Sequence, residues 1–426
     1  MKKIVNQKSK KRIYMDHAAT TYLDSRVKSA MEPYWDEEFG NASSLYREGR
    51  RAKKALDIAR SSISALIGAI SDEIIFTGGG TEGDNMAIFG AVRTFGGLAS
   101  KHIITTKIEH HAVLEPLHIL EKEGVEITYL DVGEDGIVNP EDVKNALRPD
   151  TILVSIMYAN NEIGTIQPIA EIAESIKTFK ARNPASLYPL FHTDACQAAG
   201  YLDMNVKNLG VDLMTVNGSK MYGPKGVGFL YKRNGVKLSP LLYGGGQEKR
   251  LRSGTENIPG IIGLAKAFAI AQKEREKESA RLIKLRDMFI AGILESIPKV
   301  VLNGHASKRL PNNINVSVLD IEGEGIILYL DEYGIAASTG SACTSADLEP
   351  SHVILALGRP YEFAHASLRF TLGRRNTKTD IKYALSVLPD IVRILRGISP
   401  LKVKVNAKGV SHPEAFTGTV TKNSYK

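Results

Sequence analysis

Cysteine is nearly missing from this chain of 426 residues, which holds only Cys196 and Cys343. Two thiols cannot build a disulfide framework, and no cluster has the spacing of a zinc site, so a reducing, cytoplasmic setting is the simplest expectation. No apolar run approaches the roughly eighteen residues that a membrane span needs. No apolar stretch follows the basic N-terminus, so no signal peptide is expected. Internal repeats and low-complexity tracts are lacking too. Acidic charge is missing from both ends: residues 1–12 carry six basic side chains and no acidic one, and residues 401–426 carry five lysines against one glutamate. With a formal net charge of +8 for the whole chain, the body between the tails is close to neutral. It offers no basic groove, and direct nucleic-acid binding is not expected of it. The tails read either as solvated ends or as contacts for RNA or an acidic partner.

What remains is an ordinary globular composition, 43% hydrophobic and 24% charged. The length exceeds what one core usually supports, so two domains are expected. Val27, Ala30, Met31, Tyr34 and Trp35 fall at helical spacing, and Arg47 to Ile67 is an amphipathic pattern stopped by Gly68. Then strands and helices alternate. Strands are expected at Glu73–Thr77, His102–Thr106, Glu126–Asp131, Thr151–Met157, Tyr188–Thr193 and Asp212–Val216, with helices from Thr81, His110, Pro140 and Pro168. Such alternation gives an α/β fold with a mostly parallel sheet covered on both faces, and ligands bind beyond the carboxyl ends of its strands. Ile258 to Ile297 reads as mostly helical and joins this unit to a smaller α+β domain. The division expected is a basic tail over 1–13, a large domain over 14–265, a small domain over 266–400 and a second basic tail over 401–426.

Several stretches could carry chemistry. Lys220, in Asn217-Gly-Ser-Lys-Met-Tyr-Gly-Pro-Lys-Gly226, lies between two apolar strands. It is either a lysine in a solvated connection or, desolvated at the mouth of a sheet, an amine suited to Schiff-base formation with a carbonyl cofactor. Gly78-Gly-Gly-Thr-Glu-Gly-Asp-Asn85 follows a strand and opens a helix. It is either a plain turn or a phosphate cradle of free N–H groups. Asp194 ends an apolar strand, as a helix cap or as the partner of a protonated pyridine nitrogen. His110, beside Glu109 and His111, is a structural histidine or one that stacks on a flat cofactor and moves protons. Arg369 needs an anion, either a structural carboxylate or that of a substrate. Cys343 lies in a segment with one large apolar residue between Ala337 and Pro350, so a mobile loop and a reactive thiol are expected there. Cys196 fits an inert buried side chain better.

Taken as a set, Tyr14-Met-Asp-His-Ala-Ala-Thr-Thr21, Gly79-Gly-Thr-Glu-Gly-Asp-Asn85, Asn160-Asn-Glu-Ile-Gly164, Lys220-Met-Tyr-Gly-Pro-Lys-Gly226, Arg252-Ser-Gly-Thr255 and Ser341-Ala-Cys-Thr-Ser345 resemble the cysteine desulfurases of the NifS/IscS type. These belong to the class V aminotransferase-like enzymes that use pyridoxal 5'-phosphate. The resemblance runs from about Tyr14 to Pro400. It implies the fold type I architecture, with a mostly parallel seven-stranded sheet, and a homodimer. By the same resemblance Lys220 carries the cofactor, Asp194 pairs with its ring nitrogen, Gln197 neighbours its phenolic oxygen, and His110 stacks on the ring. Gly80, Thr81, Asn217, Gly218 and Ser219 surround the phosphate, Asn161 touches the ring region, and Thr255 reaches the phosphate of the neighbouring subunit. Asn41 and Arg369 would bind the carboxylate of L-cysteine, and Cys343 would take the sulfur as a persulfide or serve as a transient iron-sulfur ligand. The sulfur would pass to an acceptor protein of iron-sulfur assembly or tRNA thiolation.

Three departures stand out. Ser219 replaces a histidine, Ala42 replaces the proline after Asn41, and the tail beyond Pro400 differs from the end that the IscS type uses near its scaffold partner. Rival expectations are a selenocysteine lyase, another class V aminotransferase-like enzyme, or a sulfur carrier or scaffold without turnover.

Overall fold

The apolar runs between residues 74 and 232 become the strands of one seven-stranded sheet: β1 (Ile74–Thr77), β2 (His102–Thr106), β3 (Glu126–Leu130), β4 (Thr151–Ser155), β5 (Leu190–Asp194), β6 (Leu213–Asn217) and β7 (Gly228–Lys232). This is a computed structural model that describes residues 12–94, 101–182, 188–340 and 350–400, together with the backbone of two short strands at 404–406 and 409–411. The order across the sheet is β1-β7-β6-β5-β4-β2-β3. Only β7 runs antiparallel to its neighbours.

β1, β2, β4 and β5 are buried along their whole length, which is why they read as continuous apolar runs rather than as alternating ones. Alternate residues serve different cores. Ile74 and Phe76 join one cluster with the helix Arg47–Leu66, while Ile75 joins the other with Met86 and Val113 of the helices Gly80–Thr94 and His111–Lys122. Burying both faces satisfies the strand backbone and excludes water from the floor of the sheet.

A single helix of 39 residues, Ile258–Ser296, is fixed at its start by Asn257, whose side chain accepts from the Gly260 amide at 3.1 Å, and by Pro259 in its first turn. Ile258 to Ala271 pack into the first core, and Leu282 to Ile293 pack into that of a second, antiparallel sheet. That sheet consists of β8 (Val300–Leu302), β9 (Asn313–Val318), β10 (Ser338–Thr339) and β11 (Ser367–Thr371), in the order β10-β11-β9-β8. The helix Lys378–Ile398 packs its apolar face against it, with Thr377 and Asp380 forming a capping box. Ile13–Tyr14 pairs with Ile335–Ala336, and Asp16 bridges to Thr371. The start of the chain is thereby carried to the carboxyl ends of the main sheet.

The helical spacing from Val27 to Trp35 yields an α-helix only over Ser25–Met31, followed by a tighter turn over Glu32–Tyr34. Pro33 has no amide to donate and its ring crowds the preceding turn, so the α-helix stops before it.

Candidate active site

The carboxyl ends of β1, β2, β4, β5 and β6 surround a cavity of about 230 Å³, roofed by residues 18–19 and by Arg369 of β11. Each parallel strand delivers one or two side chains to it, as expected where strands end at a reversal in sheet order. β1 leads into Gly80 and Thr81, β2 into His110, β4 into Asn161, and β6 into Asn217 and Lys220; β5 ends in Asp194, followed by Gln197.

Lys220 Nζ donates to the carbonyls of Ala18 and Ala19, at 2.8 and 2.7 Å. Gln197 Nε2 donates to the same Ala18 carbonyl at 3.0 Å. The opening motif of the chain therefore holds the amine in the cavity through its backbone, a role its side chains did not announce. Asp194 is buried, and its Oδ1 accepts from the Cys196 amide at 2.8 Å. This is the cap-like contact considered for it, and it orients the carboxylate without removing it from the cavity.

His110 makes the structural contact considered for it and also lines the cavity. Its Nδ1 accepts from the Ala112 amide at 3.0 Å, capping the helix His111–Lys122, so in the neutral ring the proton sits on Nε2. Burial holds its pKa below the usual histidine value. The Asp194 carboxylate opposes that shift, while Lys220, His111 and His352 add to it.

Gly79 has φ +147°, a conformation that side chains rarely adopt, and a Cβ added at Gly80 would stand 2.8 Å from Cys196 Sγ. Glycines here bring backbone close to the cavity at the first turn of a 15-residue helix, whose leading amides have no partners within the helix. Asn217 Oδ1 accepts from both the amide and the hydroxyl of Ser219, at 3.1 and 3.2 Å. Asn217 is thus turned by Ser219. Gly218 lies behind the cavity, where a Cβ would come 2.9 Å from the Pro224 carbonyl and 3.2 Å from that of Val227.

Arg369 is 3% exposed. One terminal nitrogen donates to Asp16 Oδ1 at 2.9 Å and the other to the Asn161 carbonyl at 3.2 Å, while Nε has no partner among the described residues. Asp16 Oδ2 in turn accepts from Ser338 Oγ at 2.7 Å. The guanidinium is held at the cavity with donor capacity to spare, which suits a carboxylate.

Asp84, not singled out from the sequence, lies at the bottom. It is 1% exposed, its Oδ1 has no hydrogen-bond partner among the described residues, and it stands 3.6 Å from His192 Nε2. Burial, reinforced by Asp194, pushes its pKa well above the usual carboxylate range. Its place one turn after Thr81 on a helix opening at a glycine-rich turn is the pattern that could have found it. Cys196 lines the floor as a free, buried thiol whose pKa burial raises, in keeping with the inert role read for it.

Four residues of the expected set do not line this cavity: Gly218 and Ser219, which adjoin it behind Asn217, and Asn41 and Thr255, which lie apart from it. Asn41 has its Oδ1 occupied by the Ser43 amide at 2.9 Å, and Thr255 is exposed. Their neighbours Ala42 and Glu256 instead line a separate cleft of about 560 Å³. Cys343 lies outside the described residues. Among the described residues no three metal-binding side chains gather, and no helix is long and apolar enough to cross a membrane.

Comparison with known proteins gives this arrangement a family. The model of the family described as Aminotransferase class-V matches residues 13–384. A protein named "Cysteine desulfurase IscS" from Dictyoglomus turgidum is 54% identical over 404 residues, covering 94% of this chain and 100% of the relative. Among solved structures, one described as a "NIFS-like protein" superposes with a TM-score of 0.83 at 35% identity, over 90% of this chain and 100% of the other. Another, described as "SspA in complex with cysteine", does so with a TM-score of 0.74 at 33% identity, over 84% and 98%. The seven-stranded sheet expected from the family resemblance is the one found. The chain belongs to the class-V aminotransferase family, in its cysteine desulfurase branch.

Proposed function

We propose that the cavity holds pyridoxal 5'-phosphate and L-cysteine together, and that this cysteine desulfurase passes the substrate's sulfur to its own Cys343. The observation that carries the reading is the convergence of Lys220, Asp194, His110, Asn217 and the glycine-opened helix with a buried arginine in one cavity of about 230 Å³.

The residues present fit the cofactor. The free amides at Gly80 and Thr81, with the Asn217 and Ser219 side chains, suit a phosphate at a helix N-terminus. The buried Asp194 carboxylate suits a protonated ring nitrogen, because an unpaired buried charge is costly. Lys220 is the amine that would attach the group. When bound, pyridoxal phosphate supplies an electron sink that acidifies the substrate Cα and weakens the bond from Cβ to sulfur.

The chain's own residues do the rest. Arg369 and its Asp16 brace fix the substrate carboxylate, which orients Cα toward Lys220. The Lys220 amine takes and returns the Cα proton, and neutral His110 carries a proton on Nε2 next to the reacting groups. Cys343 Sγ, as the thiolate, bonds to the substrate sulfur as the bond from sulfur to Cβ breaks, and a proton replaces sulfur on Cβ. L-cysteine and the Cys343 thiol become L-alanine and a Cys343 persulfide, with no outside oxidant or reductant.

That Ala42 and Glu256, next to Asn41 and Thr255, line the second cleft supports a homodimer, in which that face meets a second copy. Leu45, Tyr46 and Tyr243, a few residues from its lining in the sequence, are 89%, 59% and 77% exposed. A cytosolic acceptor protein of iron-sulfur assembly or tRNA thiolation is the proposed destination of the sulfur.

The test is to supply L-cysteine to the cofactor-loaded protein, measure alanine, and look for a persulfide on Cys343. Alanine with a Cys343 persulfide supports the reading. Turnover of L-selenocysteine alone would replace it with a selenocysteine lyase, and failure to take up cofactor would leave a sulfur carrier.

A further inference from the structure

Glu162 belongs to the Asn160-Asn-Glu-Ile-Gly164 motif, yet nothing in the proposed chemistry uses its side chain. It is 5% exposed, and a carboxyl so deeply placed needs a purpose or a partner. Its Oε2 accepts from Ser351 Oγ at 2.5 Å, and a Cβ added to Gly340 would stand 3.0 Å from the same oxygen. Gly340 and Ser351 are the residues on either side of the stretch that contains Cys343. One carboxylate oxygen therefore binds the stem at Ser351 and lies beside the stem at Gly340.

The stems are also fixed to their own elements. Ser351 Oγ accepts from the Ile354 amide at 3.2 Å while donating to Glu162, and the Gly340 amide donates to Ser367 Oγ of β11 at 3.3 Å. On its backbone side, Glu162 is bound to the wall of the active cavity. Its amide donates to Asn160 Oδ1 at 2.8 Å, and its carbonyl accepts from the Asn313 and Asn315 side chains of β9, at 2.9 and 3.1 Å. The Asn161 carbonyl just before it accepts from Arg369 at 3.2 Å.

We propose that Glu162 is a positioning residue for sulfur transfer: it ties Ser351 to the Asn161–Arg369 wall, beside Gly340, and so fixes the Ser351 end of the segment that carries Cys343. The inference rests on Cys343 being the sulfur acceptor. The rate at which a tethered thiol meets a bound substrate depends on its effective concentration, which is set by where its tether is anchored. Releasing the Ser351 anchor loosens where one end of that segment is held, without touching the groups that bind cysteine. The environment of the carboxyl agrees with a clamp. Burial pushes its pKa up to about 7, against the Ser351 hydroxyl, Arg369 and His111, which pull it down. Holding the Ser351 stem through one poorly solvated acceptor makes that attachment dependent on a single hydrogen bond.

The test compares Glu162→Ala, Ser351→Ala and their double variant with Glu162→Gln in the cofactor-loaded protein. Ser351→Ala removes the contact from the other side should Glu162→Ala fold poorly. Both alanine variants should form the Cys343 persulfide about tenfold more slowly in a single turnover, with the KM for L-cysteine and the absorbance change on adding it within about twofold of wild type. The double variant should be no slower than the slower single variant, because the two residues share one contact. Glutamine keeps an acceptor for Ser351 and should restore the rate to within about threefold.

A raised KM at unchanged kcat, additive losses, or a glutamine variant as slow as the alanine variant would overturn the assignment. So would wild-type rates in both alanine variants. If those rates are normal while Cys343→Ala is inert, only the role of Glu162 falls; if Cys343→Ala makes alanine at the wild-type rate, the underlying reading falls with it.

Discussion

The two walls of the cavity are built differently. On the cofactor wall, each group stands a few residues beyond the end of a strand: Gly80 after β1, His110 after β2, Asp194 at the end of β5, Asn217 and Lys220 at and after β6. On the substrate wall the contacts join distant parts of the chain. Asp16 braces Arg369, 353 residues away, and Glu162 holds Ser351, 189 residues away. The first wall is a property of local motifs on a rigid parallel sheet, and the second is a property of how the small sheet docks. Changes to the first wall should therefore stop chemistry, and changes to the second should weaken binding or transfer while leaving the cofactor in place.

The largest effect is expected at Lys220. Lys220→Ala removes the amine that would attach the cofactor and move the Cα proton, and alanine production should fall by about a thousandfold or more. A loss smaller than about tenfold in a steady-state assay would erase the contrast between the walls.

Arg369→Lys sharpens it from the other side. Lysine cannot reproduce a two-pronged contact with a carboxylate, so KM for L-cysteine should rise about ten- to a hundredfold while cofactor absorbance is retained. A drop in kcat at unchanged KM would place Arg369 with the chemistry instead.

Both walls should also show in stability against pH. Burial raises Glu162 to about 7 and Glu109, which accepts from the Met157 amide, to about 8. Both carboxyls bind their protons more tightly folded than unfolded. Their contribution is therefore full below the unfolded carboxylate pKa, near 4.5, and is withdrawn as pH rises through about 7 for Glu162 and about 8 for Glu109. Glu162→Gln should flatten the Glu162 share, raising stability at pH 8 by up to about 3 kcal/mol relative to wild type, read from denaturant midpoints. An unchanged pH profile would show that this carboxyl does not titrate in that window.

The smallest effect belongs to Ser219. Ser219→Ala removes one donor to Asn217 and should weaken cofactor affinity by a few fold, or about 1 kcal/mol, measured by equilibrium titration. No change would mean that the backbone amide alone orients Asn217.

The same contrast explains what the sequence made legible. Lys220, Asp194, His110 and the Gly80 turn could be read because strand, turn and helix signals surround each of them within a few residues. Asp16, Glu162 and the carbonyls of Ala18 and Ala19 could not, because their roles exist only after two sheets and the N-terminal segment come together. Asp84 fell between these cases: it lies on a legible helix, but its burial depends on β5 and β6 beneath it. Pro33 shows the converse, since it truncates a helix whose apolar spacing runs on past it.

Sulfur transfer to Cys343 is read in a single turnover of the cofactor-loaded protein with L-cysteine labelled at sulfur, in wild type and in Cys343→Ala. Label on Cys343 and an equal amount of alanine are expected in the wild type, and neither in the variant. Alanine released at the wild-type rate by Cys343→Ala would contradict that transfer.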